Sequence, residues 1–184
     1  DGTCELTTLP EGYPQKMEAL GIRCKMFSPI SPIVSSHYNY RDHRKILVID
    51  GQSGRLGAQL IEALAARLPM DQHQLIAIGA NSLATSAMLK AGAHQGATGE
   101  NPVLVACRDA DIIVGPIGIV IADALLGEIT PSMAAAVGQS AAIRVLLPVN
   151  RCATQVAGVP VLTRVQLIEA AVDKIESLCR GKTP

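Results

Sequence analysis

The run Lys45-Ile-Leu-Val-Ile-Asp50 constrains this chain more than any other feature. Consecutive apolar residues, most of them β-branched, cannot alternate between a wet and a dry face. They predict a strand buried on both sides, as in the middle of a parallel sheet. A glycine loop follows at Gly51, then an apolar helix from about Ala58 to Leu68, and strand, loop, helix is the opening of a βαβ unit.

The same alternation continues to the end of the chain. Gln74 to Ile78 predicts a second strand, Leu83 to Lys90 a helix, Pro102 to Ala106 a third strand and Asp111 to Val114 a fourth. Ala122 to Leu126 and Pro131 to Val137 read as helical, Ile143 to Pro148 as a strand and Gln155 to Val159 as a short one. Arg164 to Leu178 closes the chain as an amphipathic helix, with Val165, Leu167, Ile168, Ala171, Val172, Ile175 and Leu178 on one stripe. Upstream of Lys45 the text is irregular. Prolines at 10, 14, 29 and 32 break it, leaving room for a short helix over Pro14–Leu20, a strand over Ile22–Phe27 and a long polar loop over Ser28–Tyr40. The division expected is therefore residues 1–45 and residues 46–184.

Composition excludes several classes of function. Sixteen basic and sixteen acidic residues give zero formal charge, and aromatics make up 2% of the chain, so neither a basic footprint nor a stacking platform for nucleic acid is present. Five cysteines, far apart, odd in number and without a C-x-x-C pair, argue against a disulfide framework and point to a reducing cytoplasm. The longest apolar run, Ile112 to Ala122, is too short to span a bilayer. The chain opens at Asp1 within text that reads as folded, so the expectation is a fragment of something longer.

Two motifs carry chemistry. The first is His43-Arg-Lys45-Ile-Leu-Val-Ile-Asp50, an H-x-K-x-x-x-x-D spacing. On a strand, residues two apart face the same way, so His43 and Lys45 would converge on one phosphate, whereas Asp50 falls on the opposite face, where a structural role fits it better. With Gly21-Ile-Arg-Cys-Lys25, Phe27-Ser-Pro29 and Tyr38-Asn-Tyr-Arg-Asp42 ahead of it, the segment 1–51 resembles the first catalytic repeat of bacterial cardiolipin synthases, of the phospholipase D superfamily. That resemblance implies a phosphatidyltransferase or phosphodiesterase chemistry without a cofactor, on a phospholipid or other phosphodiester. His43 would be nucleophile or acid, Lys45 a phosphate ligand, and the parent protein membrane-associated. The chain departs from the family at Leu60, where an asparagine is expected, and none of His37, His73 and His94 has a lysine two residues on. The second half-site is missing, so the segment is incomplete and is not expected to act alone unless two copies pair as a homodimer.

The second motif is Asp50-Gly51-Gln52-Ser53-Gly54-Arg55-Leu56-Gly57, a G-x-x-G-x-x-G loop between strand and helix. Two readings are open. Gly51, Gln52, Ser53, Gly54 and Gly57 cradle a phosphorylated ligand such as a nucleotide or dinucleotide, or the glycines only make a tight turn with close packing. The acid that would hold a ribose at the end of the second strand is absent from Ile78-Gly-Ala-Asn-Ser82, while Gly115-Pro-Ile-Gly118 adds a second glycine cluster on the same sheet edge. Polar residues near expected strand ends, Thr98, Glu100, Asn101, Asn150 and Arg151, with Cys152 beside them, are further candidates, more often caps or packing than ligand contacts. Residues 46–175 also resemble an uncharacterised bacterial family of small Rossmann-like proteins, through Val48-Ile-Asp-Gly-Gln52, Ala84 to Ala93, Gly96-Ala-Thr-Gly-Glu-Asn101, Gly115-Pro-Ile-Gly118 and Leu146 to Cys152.

Both resemblances share the strand Lys45–Gly51, and this separates their sites. His43 and Gly51 lie roughly 26 Å apart along an extended chain, so one phosphate cannot touch both. The expected architecture is α/β, a Rossmann-like mostly parallel sheet with flanking helices, preceded by an incomplete phospholipase D-type segment. The chain reads as a mosaic joined at the common strand.

Overall fold

The computed structural model describes residues 13–21, 44–149, 156–160 and 162–180. The chain divides between His43 and Arg44. In the first unit the described element is a short helix, α1 (Tyr13–Ala19), where the proline-led segment predicts one. The predicted strand Ile22–Phe27 and the loop after it lie outside the described residues.

The second unit is a five-stranded parallel sheet made of β1 (Arg44–Asp50), β2 (His73–Gly79), β3 (Gln95–Thr98), β4 (Ile112–Pro116) and β5 (Ile143–Leu147). Its strand order is β3-β2-β1-β4-β5. This is the Rossmann-like order, in which the chain returns to the middle and continues outward on the other side. β1 is central, paired with β2 from Arg44–His73 to Asp50–Gly79 and with β4 from Ile46–Ile112 to Val48–Val114.

The central run is buried on both faces, as its composition requires. Ile46 and Val48 point into one core, Leu47 and Ile49 into the other, and all four are fully buried. Each such side chain contributes about 1.5–3 kcal/mol relative to exposure. The first core is closed by α2 (Arg55–Arg67), α3 (Ser82–Lys90) and α6 (Arg164–Cys179), through Leu60, Leu64, Met88, Val172 and Ile175. The second is closed by α4 (Glu100–Ala106), a 3-10 turn (Ile117–Val120) and α5 (Pro131–Gln139), through Val103, Ile119, Met133 and Val137. The Arg44 guanidinium donates to the Leu178 carbonyl at 2.6 Å and so caps the last helix from the start of the central strand.

The structure corrects several expectations. Pro102 to Ala106 is not a strand but part of α4. Gly99, at φ 97, turns the chain into this helix, Glu100 favours its first turn, and Pro102 is tolerated there. Burial follows a helical period, with Val103 and Cys107 buried and Val105 48% exposed. The third strand is instead Gln95–Thr98, an edge strand of mostly exposed residues without an apolar alternation to betray it. Ala122 to Leu126 is not helical. It belongs to a looped segment, 121–130, in which Asp123, Leu125 and Leu126 take left-handed backbone at φ 61, 57 and 63, followed by Gly127 at 83. Gln155 lies outside the described residues, and 156–159 form no strand. Val165 does not share the buried stripe of α6 but is 61% exposed. That helix starts at Arg164 as predicted, on a Thr163–Gln166 capping box, and runs one residue further, to Cys179.

Candidate functional site

The carboxyl ends of β1 and β4 diverge at the point where strand order reverses, the place where open α/β sheets form a crevice. A cleft of about 160 Å³ opens there. Asp50, Gly51, Gln52 and Ser53 form one wall, Pro116, Ile117 and Gly118 another, and Ile121, Leu125 and Val149 add apolar surface. Arg55, the first residue of α2, and Arg164, the first residue of α6, both line it and are exposed. Neither forms an ion pair among the described residues.

Asp50 forms the floor and organises the loop above it. Its carboxylate accepts from the Gly51 amide at 2.9 Å and the Gly57 amide at 2.7 Å. It therefore occupies the start of α2, the place a ligand phosphate would take in a dinucleotide fold. Burial pushes its proton affinity above that of an ordinary carboxylate. The amides of Gly57, Gly51 and Leu56 oppose that shift, and the nearby Glu128 reinforces it. The next amide of the loop, Gln52, is also engaged, donating to Glu128 Oε2 at 2.5 Å.

The three glycines of the loop serve three contacts. At Gly51 a Cβ would strike the Glu128 carboxylate, and Leu125 packs at 3.0 Å from the same point. Gly54 has φ +67, and its Cβ position lies 2.5 Å from Ala84 Cα, so the loop presses directly on the backbone of α3. Gly57 faces Met88 and, at 2.9 Å, Asp50 Cβ. Of the five residues predicted to bind a cofactor, Gly51, Gln52 and Ser53 line the cleft, whereas Gly54 and Gly57 are packing positions.

Lys45 and Asp50 of the H-x-K-x-x-x-x-D spacing are not brought together. Lys45 is at the amino end of β1, where its amide donates to the Asp111 carboxylate at 2.9 Å, and Asp50 is at the carboxyl end. His43 lies outside the described residues, as do Asn150, Arg151 and Cys152. Thr98 exchanges a hydrogen bond with Thr85 at 2.7 Å, and Glu100 accepts from the Thr130 hydroxyl, so both are structural contacts. Asn101 sits inside α4. Burial pushes the Cys107 thiol up to about 11, which leaves it without thiolate reactivity at neutral pH. No group of three or more potential metal ligands occurs among the described residues, and no helix among them is long and apolar enough to cross a membrane.

Residues lining the cleft that local pattern did not mark are Arg55, Leu125 and Arg164, and it did not mark Glu128, which holds the loop from outside the lining. Arg55 is inside the glycine loop and Arg164 directly follows a threonine cap, signals that position could have supplied. Glu128 reaches the loop from 76 residues away and leaves no local trace.

The fold and this cleft define a Rossmann-like α/β protein with its crevice at the switch point. More particularly, residues 45–180 match the model of the family described as Domain of unknown function (DUF3842), and the chain belongs to that family. Shorter stretches are similar to curated proteins. An uncharacterized protein of Streptococcus mutans is 60% identical over 52 residues, 28% of this chain and 11% of that protein. A cardiolipin synthase of Geobacillus thermodenitrificans is 42% identical over 50 residues, 27% of this chain and 10% of the synthase. Cardiolipin synthase 2 of Bacillus cereus is 40% identical over 50 residues, again 27% and 10%. The chain thus spans about a tenth of the length of these relatives. No solved structure matches it.

Proposed function

We propose that the α/β unit is a binding module for a small phosphorylated ligand, seated in the cleft between β1 and β4. The observation that carries this reading is the pair Arg55 and Arg164, two cationic side chains without ion-pair partners among the described residues, lining one pocket at the switch point. Guanidinium groups suit phosphate because they offer paired donors in a fixed plane. The phosphate rests on these side chains and on Ser53, since Asp50 and Glu128 already hold the Gly51, Gln52 and Gly57 amides. An apolar portion of the ligand would lie on Ile117, Ile121 and Leu125. Calorimetric titration with a panel of phosphorylated metabolites tests this. Binding in the unaltered chain that weakens about tenfold or more in Arg55→Ala or Arg164→Ala supports it, and a panel without a single binder ends it.

A second reading is favoured by the 40–42% identity to cardiolipin synthases over 50 residues. That length fits the segment 1–51, in which the H-x-K-x-x-x-x-D motif is found. On this reading the segment is a phosphatidyltransferase half-site, His43 and Lys45 acting on a phosphodiester, completed by a second copy of the chain and joined to the α/β unit as a mosaic. Head-group release from phospholipid vesicles that disappears in His43→Ala would support the chemistry, and release unaffected by that change would exclude it. A genomic read across the codons for Arg41 to Leu60 decides whether the junction exists in one gene.

A further inference from the structure

In a sheet of this order the acid that grips a nucleoside ribose stands at the end of β2. Here β2 runs out in Gly79-Ala80-Asn81 and supplies none. A carboxylate nevertheless arrives at that place from another part of the chain. Glu128 Oε1 accepts from Asn81 Nδ2 at 3.0 Å, while its Oε2 accepts from the Gln52 amide at 2.5 Å. It therefore bridges the glycine loop after β1 and the end of β2.

Both groups that hold it are themselves fixed. Asn81 Oδ1 accepts from the Ala84 amide at 2.9 Å as the cap of α3, and its Nδ2 also donates to the Gln52 carbonyl at 2.9 Å. A carboxylate offers about four acceptor positions, two on each oxygen. The contacts to Asn81 and Gln52 use one on each, and Glu128 is only half-buried. Acceptor capacity remains for a ligand, provided that the ligand brings hydroxyl donors.

The loop that delivers Glu128 is costly to build. Asp123, Leu125 and Leu126 are all left-handed, at about 1–3 kcal/mol each for non-glycine residues, and strain of this kind collects at ligand sites. Leu125 of the same loop packs against Gly51 and lines the cleft, so the loop serves both compartments. From Gln52, which touches Glu128, to Arg55 is a three-residue step, at most about 11 Å. Glu128 stands beside the cleft, outside its lining, and a diphosphate together with the extended Arg55 side chain can cover that reach.

We infer that Glu128 replaces the missing β2 acid and makes the ligand a ribonucleotide, its 2′ and 3′ hydroxyls donating to the Glu128 carboxylate and its phosphates directed toward Arg55 and Arg164. One side of the site demands donors and the other demands negative charge. A ribonucleoside phosphate carries both on one frame. This rests on the anion reading of the cleft and deepens it.

The test is calorimetry on the full chain with ADP, GDP, CDP and UDP, with the 2′,3′-dideoxy form of the tightest binder, and with inorganic pyrophosphate. The expected result is a ribonucleotide that binds about tenfold or more tightly than its dideoxy form, a preference that Glu128→Gln erases. Equal binding of the two forms by the unaltered chain overturns the ribose assignment while leaving the anion site in place. Failure of pyrophosphate and every nucleotide to bind removes both. Should Glu128→Gln fail to fold, the ribo–dideoxy comparison on the unaltered chain decides alone.

Discussion

Asp50 shows how one residue can satisfy a fold and shape a site at once. Its carboxylate ties the end of β1 to the first turn of α2 through two amides, yet burial still outweighs those bonds and raises its proton affinity. The sign of the consequence is fixed. A carboxyl whose folded pKa lies above its ordinary 3.8 contributes stability that is full below 3.8 and lost as pH rises through the folded value. Asp50→Asn, permanently uncharged and of the same shape, should therefore gain on the natural chain as pH climbs from below 3.8, with the gap levelling off above the folded pKa. Urea unfolding of both chains across that range measures it. A natural chain that instead gains on the variant would mean that the amide bonds win over burial.

Gly54 gives a second test at this scale. It combines φ +67 with a Cβ position 2.5 Å from the α3 backbone, whereas Gly92, at φ +107, meets nothing within 4 Å. Gly54→Ala should lose about 1–3 kcal/mol from backbone strain and more from the collision, while Gly92→Ala pays only the strain. Denaturant midpoints of the two variants should separate accordingly, and equal losses would show that the loop yields to the added methyl. The glycine spacing was visible in the sequence, but its meaning was not. Which glycine lines the cleft and which faces a helix depends on Ala84 and Met88, residues that no spacing rule connects to the loop.

At the scale of elements, legibility followed burial. β1, β2, β4 and β5 and the helices α2, α3, α5 and α6 each bury a face against one of the two cores, so their apolar period announced them. β3 contributes no residue to either core, and the segment 121–130 contributes Ala124 and Ile129 without a regular period. The edge strand Gln95-Gly-Ala-Thr98 is held by backbone pairing to β2 and by Leu89 packing onto Gly96, neither of which needs an apolar alternation. The loop is held by Asp123 and Ile129 bonding across it, at 2.8 Å from the Asp123 amide to the Ile129 carbonyl. Pro102 to Ala106 misled for the opposite reason, since an apolar run shorter than two helical turns fits a strand equally well. The start of α6 shows what a cap adds. Thr163 accepts from the Gln166 amide, and Gln166 returns a bond to the Thr163 amide, immediately before Arg164 enters the cleft. Thr163→Ala should lower stability by about 1 kcal/mol. If the cap also aims Arg164, affinity for the phosphorylated ligand falls with it, and calorimetry beside thermal melting separates the two effects.

For the whole molecule, the decisive fact is where the cores draw their side chains. Among the described residues, both clusters are built from positions 46 to 178, the family match covers 45–180, and β1 begins immediately after the division at His43. A sheet with two filled faces and helices on each satisfies the layer rule for an independent domain. A chain of residues 44–184 should therefore unfold in one cooperative transition at a midpoint close to that of the full chain and keep any stabilisation by the phosphorylated ligand. It should show no phosphodiester chemistry, because His43 is gone. A truncated chain that melts without cooperativity would mean that the upstream segment supplies part of the folding energy. Ligand stabilisation that vanishes on truncation, with the fold intact, would mean that the site in the cleft is completed by residues before Arg44.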